Sequence, residues 1–155
     1  MAKLKWSALE AFNTGIDGSA SAPTLKGLAA AGQKLGNEID PTGASARNLM
    51  MDMQLKVRFL TAPAAGAYVE VFAVQAVDGT QYSDGDDTVT PSLSAMLGTF
   101  PARAVATQQF IALRGVVAPA TKFKFLVINR GSTAFTNTDA ENILSYRMYD
   151  VDIVA

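Results

Sequence analysis

Apolar and polar side chains alternate over residues 48–60, and this alternation limits the fold of the chain more than any other feature. The apolar positions of the segment NLMMDMQLKVRFL that recur every second residue are Leu49, Met51, Met53, Leu55, Val57 and Phe59. The polar residues between them are Asn48, Asp52, Gln54, Lys56 and Arg58. A β-strand turns successive side chains to opposite faces, whereas a helix would repeat its apolar positions every three or four residues. The segment therefore predicts a strand with one buried face and one solvated face.

Four further segments predict strands. Residues 67–77 (AYVEVFAVQAV) are rich in β-branched and aromatic residues and are apolar on both faces except at Glu70 and Gln75. This pattern predicts a more central strand, which we expect to pair antiparallel with 48–60. The other three predicted strands are 107–117, 122–130 and 144–154. Short strands punctuated by Gly, Pro and Asn, without helical patterns between them, indicate an all-β antiparallel sandwich.

The N-terminal part of the chain has a different pattern. Residues 13–23 (NTGIDGSASAP) have the composition of a flexible Gly/Ser linker, so residues 1–12 predict an arm on a tether. The domain boundary then follows residue 23, and 24–155 form the sandwich. Inside that domain, 24–35 (TLKGLAAAGQKL) predict one short helix, and 36–40 (GNEID) predict a short strand.

The predicted arm is unusually apolar for an exposed segment. Its large apolar residues are Leu4, Trp6, Leu9 and Phe12. Twelve residues are too few to bury these side chains in a core of their own. We therefore predict that the four residues form an interface with a neighbouring subunit or partner, with Trp6 as an anchor. The alternative is that the arm folds back as an extra strand on its own sandwich.

Cysteine and histidine are both absent from the 155 residues. Their absence removes disulfides, thiol nucleophiles, thiolate zinc sites and the commonest general base and transition-metal ligand. The 13 basic residues are spread along the chain, and the net charge is −1, which predicts no direct binding to nucleic acid. No apolar stretch approaches the roughly 20 residues that span a bilayer, so no membrane segment is predicted, and we expect synthesis in the cytoplasm.

The segment VDGTQYSDGDDTVTP, residues 77–91, collects four aspartates: Asp78, Asp84, Asp86 and Asp87. A calcium loop, an acidic catalytic cluster and a hairpin end are three interpretations. An EF-hand needs a glutamate twelve residues into the loop and a helix on each side, and neither pattern is present. Asp-Gly twice in a polar stretch is typical of a surface connection, so we predict a hairpin-end loop. A looser calcium site in a β-loop is the alternative.

Three other motifs favour structural interpretations. Residues 27–34 (GLAAAGQK) are close to a phosphate-binding loop, but Gln33 displaces the lysine, which predicts a loop or short helix without a ligand. Asp150 and Asp152 lie one strand repeat apart, about 7 Å, as glycosidase carboxylates can, but a solvated strand face is the stronger interpretation. In KFKF, residues 122–125, alternation favours inward phenylalanines and solvated lysines over a platform for single-stranded nucleic acid.

A family resemblance adds to these predictions. The segments that carry it are GAYVEVFAVQAVDGTQYSDG (66–85), GTFPARAVATQQFIALRGVVAPATKFKFLVINRGSTAF (98–135) and YRMYD (146–150). They resemble a group of small virion proteins of tailed bacteriophages, over roughly residues 34–150. The resemblance implies a jelly-roll-like β-sandwich that decorates or cements a capsid, with attachment to the tail as the rival location.

The expected function follows from the resemblance together with the residue chemistry. We expect a non-enzymatic cement protein on the capsid exterior that binds the major capsid protein or other virion proteins as a homo-oligomer, a trimer or a dimer. No catalytic, cofactor or metal residues are predicted. One alternative is a tail, fibre or collar component that binds host carbohydrate, with Tyr82 stacking on sugars; another is an enzyme that acts through the aspartates.

The alternation over 48–60 makes a direct prediction. Val57→Asp puts an unpaired carboxylate into the apolar interior and should abolish soluble folding, whereas Lys56→Asp changes the solvated face and should be tolerated. Soluble yield and circular dichroism of the two variants measure this difference. Equal damage from both substitutions would show that the two-residue period is not the period of the fold.

Overall fold

The computed structural model describes residues 3–6, 13–16, 23–41, 50–149 and 151–154, and at 3–6, 13–14 and 151–154 it describes the backbone alone. These residues form ten β-strands and two single-turn 3-10 helices. Eight strands build two antiparallel four-stranded sheets, and the remaining two form a separate two-stranded sheet. The two larger sheets pack face to face, so the chain is an all-β antiparallel sandwich, as predicted.

The strands are β1 Lys3–Trp6, β2 Asn13–Ile16, β3 Gln33–Ile39, β4 Met50–Val57, β5 Tyr68–Gln75, β6 Met96–Pro101, β7 Gln109–Val117, β8 Phe123–Asn129, β9 Ile143–Tyr149 and β10 Val151–Val154. Sheet I has the order β2-β9-β4-β7, and sheet II has the order β3-β8-β5-β6. We call the pair β1 and β10 the terminal ribbon. No helix in the described ranges is long and apolar enough to span a membrane.

The strand pairs are nested inside one another. β1 pairs with β10, β2 with β9, β3 with β8, β4 with β7 and β5 with β6, each antiparallel. The chain is therefore one long hairpin whose tip is the connection from β5 to β6, residues 76–95. Two further antiparallel pairings, β4 with β9 and β5 with β8, roll this hairpin into sheets I and II. The aspartate-rich segment lies at the tip, which confirms the predicted hairpin-end loop.

The core between the sheets follows the predicted alternation. Its completely buried side chains on the central strands include Met51, Leu55, Val57, Val69, Val71, Phe123, Phe125, Val127 and Leu144. Phe123 and Phe125 meet edge to face, with their ring centres 5.2 Å apart, which confirms the inward phenylalanines of KFKF. The polar face of β4 has one exception, because Asp52 is only 8% exposed.

A second apolar cluster covers the outer face of sheet II. Its buried members on the two central strands are Phe72, Val74, Leu126 and Ile128, and the hairpin tip packs Tyr82 and Ala95 against them. This cluster explains why β5 and β8 carry apolar residues on both faces. The predicted central position of 67–77 is therefore confirmed.

The predicted partner of that strand is wrong. β4 and β5 lie in different sheets, and β4 pairs with β7 and β9 instead. The two-residue period specifies which face of a strand is buried but not which strand lies beside it. The predicted last strand, 144–154, is divided into β9, an inner strand of sheet I, and β10, which pairs with β1.

The N-terminal predictions also need correction. The short helix predicted at 24–35 is absent: residues 23–32 form turns, and β3 begins at Gln33. Gly27 and Ala31 have positive φ angles of 64° and 58°, which a right-handed helix excludes. Part of the predicted linker, Asn13–Ile16, is strand β2 and pairs with β9. Strand β3 contains all but the last residue of the short strand predicted at 36–40.

Two glycines allow β2 and β3 to cross at one seam of the sandwich. A Cβ atom on Gly15 would lie 2.8 Å from the ring of Phe125. A Cβ atom on Gly36 would lie 3.2 Å from the carbonyl oxygen of Gly15 and 3.3 Å from that of Phe125. Backbone atoms cannot rotate away as a flexible side chain can, so a side chain at Gly36 would force the neighbouring backbone to shift by a few tenths of an ångström.

Gly36→Val should therefore destabilise the sandwich by about 1–3 kcal/mol, the usual effect of overpacking a closed site. For a chain of this size we expect the melting temperature to fall by about 2–4 °C per kcal/mol. Asn37→Val, at the exposed neighbouring position of the same strand, is the control. Thermal unfolding followed by circular dichroism compares them, and equal melting temperatures would contradict the seam as described.

Candidate functional site

The two ends of the sandwich are built differently. Segments 23–32, 58–67, 102–108 and 130–142 meet at one end, which we call the clamped end. The hairpin tip and segment 118–122 lie at the opposite end, which we call the groove end. Side chains from the strand ends determine the character of each.

Asn129 holds two segments of the clamped end together. This residue ends β8 and is completely buried. Its side-chain Nδ2 donates hydrogen bonds to the carbonyl oxygens of Leu28, Ala29 and Thr133, at 3.2, 3.0 and 2.9 Å. Its Oδ1 accepts a bond of 2.9 Å from the backbone N–H of Gly131. One amide thus fixes the turn before β3 and the turn after β8.

Asn142 links segment 58–67 to segment 130–142 in the same way. It is completely buried, and its Nδ2 donates to the carbonyl oxygens of Thr136 and Thr138, at 2.9 and 3.0 Å. Its Oδ1 accepts a 3.1 Å bond from the backbone N–H of Arg58. Because Arg58 follows β4, this amide joins segment 58–67 to segment 130–142.

Gln109, at the start of β7, closes the fourth segment. Its Nε2 donates to the carbonyl oxygens of Arg103 and Val105, at 3.0 and 3.1 Å, and its Oε1 accepts from the N–H of Arg103 at 2.8 Å. Every buried side-chain nitrogen or oxygen in the described ranges has a hydrogen-bond partner. The three buried amides therefore supply hydrogen-bond partners to backbone groups of all four loop segments.

Ion pairs tie the same segments at the surface. Lys26 Nζ lies 3.0 Å from Asp139, which also accepts a hydrogen bond from the Thr24 hydroxyl. The bond from Thr24, and then that from Lys26, lowers the pKa of Asp139. Arg58 lies 2.6 Å from Glu141, whose pKa is lowered first by a hydrogen bond from Thr136 and then by Arg58.

The aspartates of the hairpin tip mostly bind their own backbone. Asp78 Oδ1 accepts the N–H groups of Thr80 and Gln81, at 2.8 and 2.6 Å. Hydrogen bonds from Gln81 and then Thr80 lower the pKa of Asp78. Asp86 Oδ1 accepts the N–H of Val89 at 2.8 Å and both the hydroxyl and the N–H of Thr88. These contacts are local turns of the kind that Asp forms in loops.

Asp87 and Tyr82 attach the tip to the edge strand β3. Asp87 accepts a hydrogen bond of 2.7 Å from the N–H of Leu35 and forms an ion pair with Lys34. The Tyr82 hydroxyl donates to Glu38, and burial together with that carboxylate raises the pKa of Tyr82 to about 12. The backbone of an exposed edge strand is thereby partly covered.

Tyr82 is therefore engaged on several sides. The Lys124 ammonium lies 4.2 Å from the centre of its ring, and the ring packs on the outer cluster of sheet II. A ring in this position stabilises the tip as a cover. The contacts disfavour the stacking of a sugar on Tyr82, which the alternative function would require.

Asp84 differs from its three neighbours. Within the described part of the chain it makes no hydrogen bond and no ion pair, and it lines a groove at the groove end. The described residues contain no group of three or more acidic side chains placed to hold a metal ion. Among the described residues, the carboxylate of Asp84 is thus an unpaired charge in a surface depression.

Two adjoining grooves, of about 430 and 670 Å³, open at the groove end. They share Gln75, Ser94 and Ala95, and Asp84 is the only charged residue among the described residues that line them. Two exposed apolar side chains line them, Val77 at 79% and Val117 at 72% exposure. Such depletion of charge around exposed apolar side chains is typical of the centre of a protein interface.

Two buried carboxylates are used for structure. Asp52 accepts from Arg147 at 2.9 Å and from the N–H of Gly115 at 3.0 Å. Burial alone would raise the pKa of Asp52, but the bonds from Arg147, Gly115 and Tyr149 outweigh it and lower the pKa. Glu70 pairs with Arg130 at 2.7 Å in the same manner.

The predicted interface residues lie near the start of the chain. Leu4 and Trp6 are in β1, whose backbone register places them opposite Ile153 and Val151. Leu9 and Phe12 lie outside the described residues, so their role stays a prediction. The arm is therefore described only as far as Lys3–Trp6, which pairs with the C-terminal strand of the same chain and not with either large sheet.

The remaining sequence motifs lie in turns, strands or the terminal ribbon, or outside the described residues. Residues 27–32 form turns, and Gln33 and Lys34 already belong to β3, so the phosphate-loop-like segment is a loop followed by a strand. Asp150 lies outside the described residues, and Asp152 is opposite Lys5 in the terminal ribbon. The clamping role of Asn129 was not predicted, although a polar residue at the end of an apolar strand, just before Arg-Gly-Ser, is a signal for it.

Comparison with models of known protein families finds no match for this chain, and a search of curated proteins finds none either.

Asn129→Ala tests the clamped end. The substitution removes the amide from three carbonyl oxygens and one N–H, of which the oxygens of Leu28 and Ala29 each keep a backbone donor. We expect a loss of stability on the order of 3 kcal/mol. Asn137→Ala makes the same chemical change at an exposed position of the same segment and should have little effect. The midpoints of urea unfolding measure both variants. If the two midpoints agree, the amide does not act as a clamp.

Proposed function

We propose that this chain is a non-enzymatic structural protein of a tailed-bacteriophage virion, a decoration or cement protein that binds the outside of the head. It bridges major capsid subunits as a homo-oligomer and is assembled in the host cytoplasm. In this role the protein acts through the surface it buries at each contact, and the symmetry of the shell repeats that contact many times.

The proposal rests on the positions, within the fold, of the segments that resemble virion proteins. Segment 66–85 contains β5 and the start of the hairpin tip, and 98–135 contains β7, β8 and the clamp residue Asn129. Segment 146–150 contributes Arg147, which pairs with the buried Asp52. The segments that resemble the virion proteins thus contain strands of both sheets and two of the residues that lock them, Asn129 and Arg147.

The strand order supports the proposal as well. We infer a jelly roll, because eight strands form nested antiparallel pairs that alternate between the two sheets. Double-sheet jelly rolls are recurrent in viral capsid proteins and in lectins. The engaged position of Tyr82 favours the capsid role over carbohydrate binding through that residue.

The clamped end is the surface we assign to the capsid contact. Its segment 59–67 (FLTAPAAGA) has no charged residue, and Leu60 at 59% exposure projects from it. The segment is held in place, because Leu60 N–H donates to Ala134 O at 3.0 Å and Ala64 N–H donates to Ser132 Oγ at 2.9 Å. A surface fixed before binding loses little conformational freedom on docking.

Leu60→Asp should therefore lower occupancy on capsids without unfolding the protein, because it places a charge at the centre of an apolar contact. Purified wild type and variant are added to heads that lack the protein, and bound copies are counted after sedimentation. We expect an apparent affinity about thirtyfold weaker for Leu60→Asp, the effect of losing about 2 kcal/mol at one interface hot spot. Ala112→Asp, at an exposed position of β7 in sheet I, is the matched control.

The count of bound copies also decides whether the protein binds the head or the tail of the particle. A cement protein binds at positions repeated over the whole icosahedral lattice, whereas a tail or collar component binds at one vertex or along one tube. Saturation at a few copies per particle, or recovery of the protein with tails alone, would overturn the proposed function.

A further inference from the structure

The hairpin tip hides an apolar surface on the outer face of sheet II. Phe72, Val74, Leu126 and Ile128 form that surface, and each is 1% exposed or less. The tip lies directly on it, because a Cβ atom on Gly85 would be 2.7 Å from the Val74 side chain. A tip that moved away would therefore turn buried apolar side chains toward water, while the core between the two sheets stayed closed.

Carboxylates fasten the tip to strand β3. Asp87 lies 2.5 Å from the ammonium of Lys34, and it accepts a hydrogen bond of 2.7 Å from the N–H of Leu35. Farther along the same strand, Glu38 accepts a hydrogen bond from the Tyr82 hydroxyl. Asp87 belongs to the tip and Glu38 to the strand, so one carboxylate from each side holds the tip against β3.

The other polar contacts of the tip are neutral. The Gln33 side chain, also on β3, donates to the carbonyl oxygen of Asp86 at 2.6 Å and accepts from the Thr90 hydroxyl at 3.0 Å. At the root of the tip, the N–H of Ser83 donates to the carbonyl oxygen of Gln75 at 2.9 Å. Among the described residues, loss of the two carboxylate contacts leaves Gln33 as the polar link between the tip and β3.

Several titratable groups surround the two carboxylates. They come from β3, from the start of β8 and from the tip itself, and they are Lys34, Asp40, Tyr82, Asp84, Asp86, Lys122 and Lys124. Hydrogen bonds from Tyr82 and then from Lys122 lower the pKa of Glu38. Hydrogen bonds from Thr88 and then Val89 lower the pKa of Asp86, which shapes the turn beside Asp87. The ionised carboxylates thus stabilise the closed position of the tip.

The lowered pKa values determine the direction in which acid acts. The ionised forms contribute their stability above the ordinary pKa, which is 4.5 for Glu38 and 3.8 for Asp86, and that stability is lost as the pH falls through the lowered values. The buried amides of the clamped end do not titrate. The sandwich also contains the carboxylates of Asp52 and Glu70, so variants at neutral pH are needed to separate the tip from the sheets.

We propose that the hairpin tip is a lid, fastened by Glu38 and Asp87, that opens as a unit in acid while both sheets stay folded. Opening releases the tip from β3 and leaves its root on β5. Segments with few backbone hydrogen bonds to the rest of a fold are the ones that open locally. The outer face of sheet II then changes from a covered surface to an exposed apolar one, the kind of surface that binds other molecules. This inference does not rest on the proposed function.

Thiol labelling of the full-length protein separates opening of the lid from unfolding of the sandwich, because the chain has no cysteine of its own. Val74→Cys puts a thiol beneath the tip, and Val71→Cys puts one into the core between the sheets. At neutral pH, Glu38→Gln combined with Asp87→Asn imitates the protonated carboxylates. In this background we expect Val74→Cys to be labelled about ten times faster, with the labelling rate of Val71→Cys unchanged.

Asp139→Asn combined with Glu141→Gln is the matched control, since it removes two ion-paired surface carboxylates at the clamped end. This control should not accelerate the labelling of Val74→Cys relative to that of Val71→Cys. Ile128→Cys, on the same outer face, is a second reporter if Val74→Cys fails to fold.

Acid should have the same effect as the tip variant in the protein with native Glu38 and Asp87. As the pH is lowered from about 7 to about 3, Val74→Cys should become reactive before Val71→Cys does. An aromatic disulfide that reacts with thiols in acid measures both rates.

Two results would overturn the proposal. One is equal labelling of Val74→Cys and Val71→Cys in every background and at every pH, because the tip then leaves only when the sandwich unfolds. The other is labelling beneath the tip that is no faster in the tip variant than in the control, because Glu38 and Asp87 then do not fasten the lid.

Discussion

Strands β5 and β8 pair along their full lengths and carry buried apolar side chains on both faces, so sheet II has to be covered twice. Sheet I provides the inner cover, and the hairpin tip provides the outer one. The need for this outer cover explains the length of the hairpin tip. A connection of twenty residues between adjacent strands is far longer than a turn requires, and its length is what reaches across Phe72 and Leu126. The aspartates hold the connection in shape, through Asx turns at Asp78 and Asp86 and the contact of Asp87 with β3.

The sequence predicted the parts of the fold that depend on local periodicity. The alternation in β4 and the two apolar faces of β5 could be predicted, because burial of a strand face sets the spacing of apolar residues within a few neighbouring positions. Asp52 was placed on the solvated face, since its partner Arg147 is 95 positions away and cannot be inferred from spacing. The pairing of β4 with β5 was wrong for the same reason, because the choice of partner strand depends on the whole chain.

The candidate surfaces were less predictable still. Asn129, Asn142 and Gln109 are ordinary polar residues in the sequence, and only burial reveals that they are clamps. All three are amides and do not titrate, so the hydrogen bonds they make are insensitive to pH. The surface carboxylates Asp139 and Glu141 have lowered pKa values, so the stability they contribute is present above their ordinary pKa and is lost as the pH falls through the lowered one. The clamped end thus combines a core independent of acidity with surface links that weaken only in acid.

The nested strand order determines when each strand can find its partner during synthesis on the ribosome. β2 has β9 as its one neighbour in sheet I, and β3 has β8 as its one neighbour in sheet II. Both early strands emerge from the exit tunnel long before their partners exist, whereas β5 and β6 are close together in the chain. Loop closure therefore favours zippering from the middle of the polypeptide outward, with the termini joined last. Until translation ends, the early strands have unpaired edges, which are the part of an unfinished β-protein most prone to aggregation.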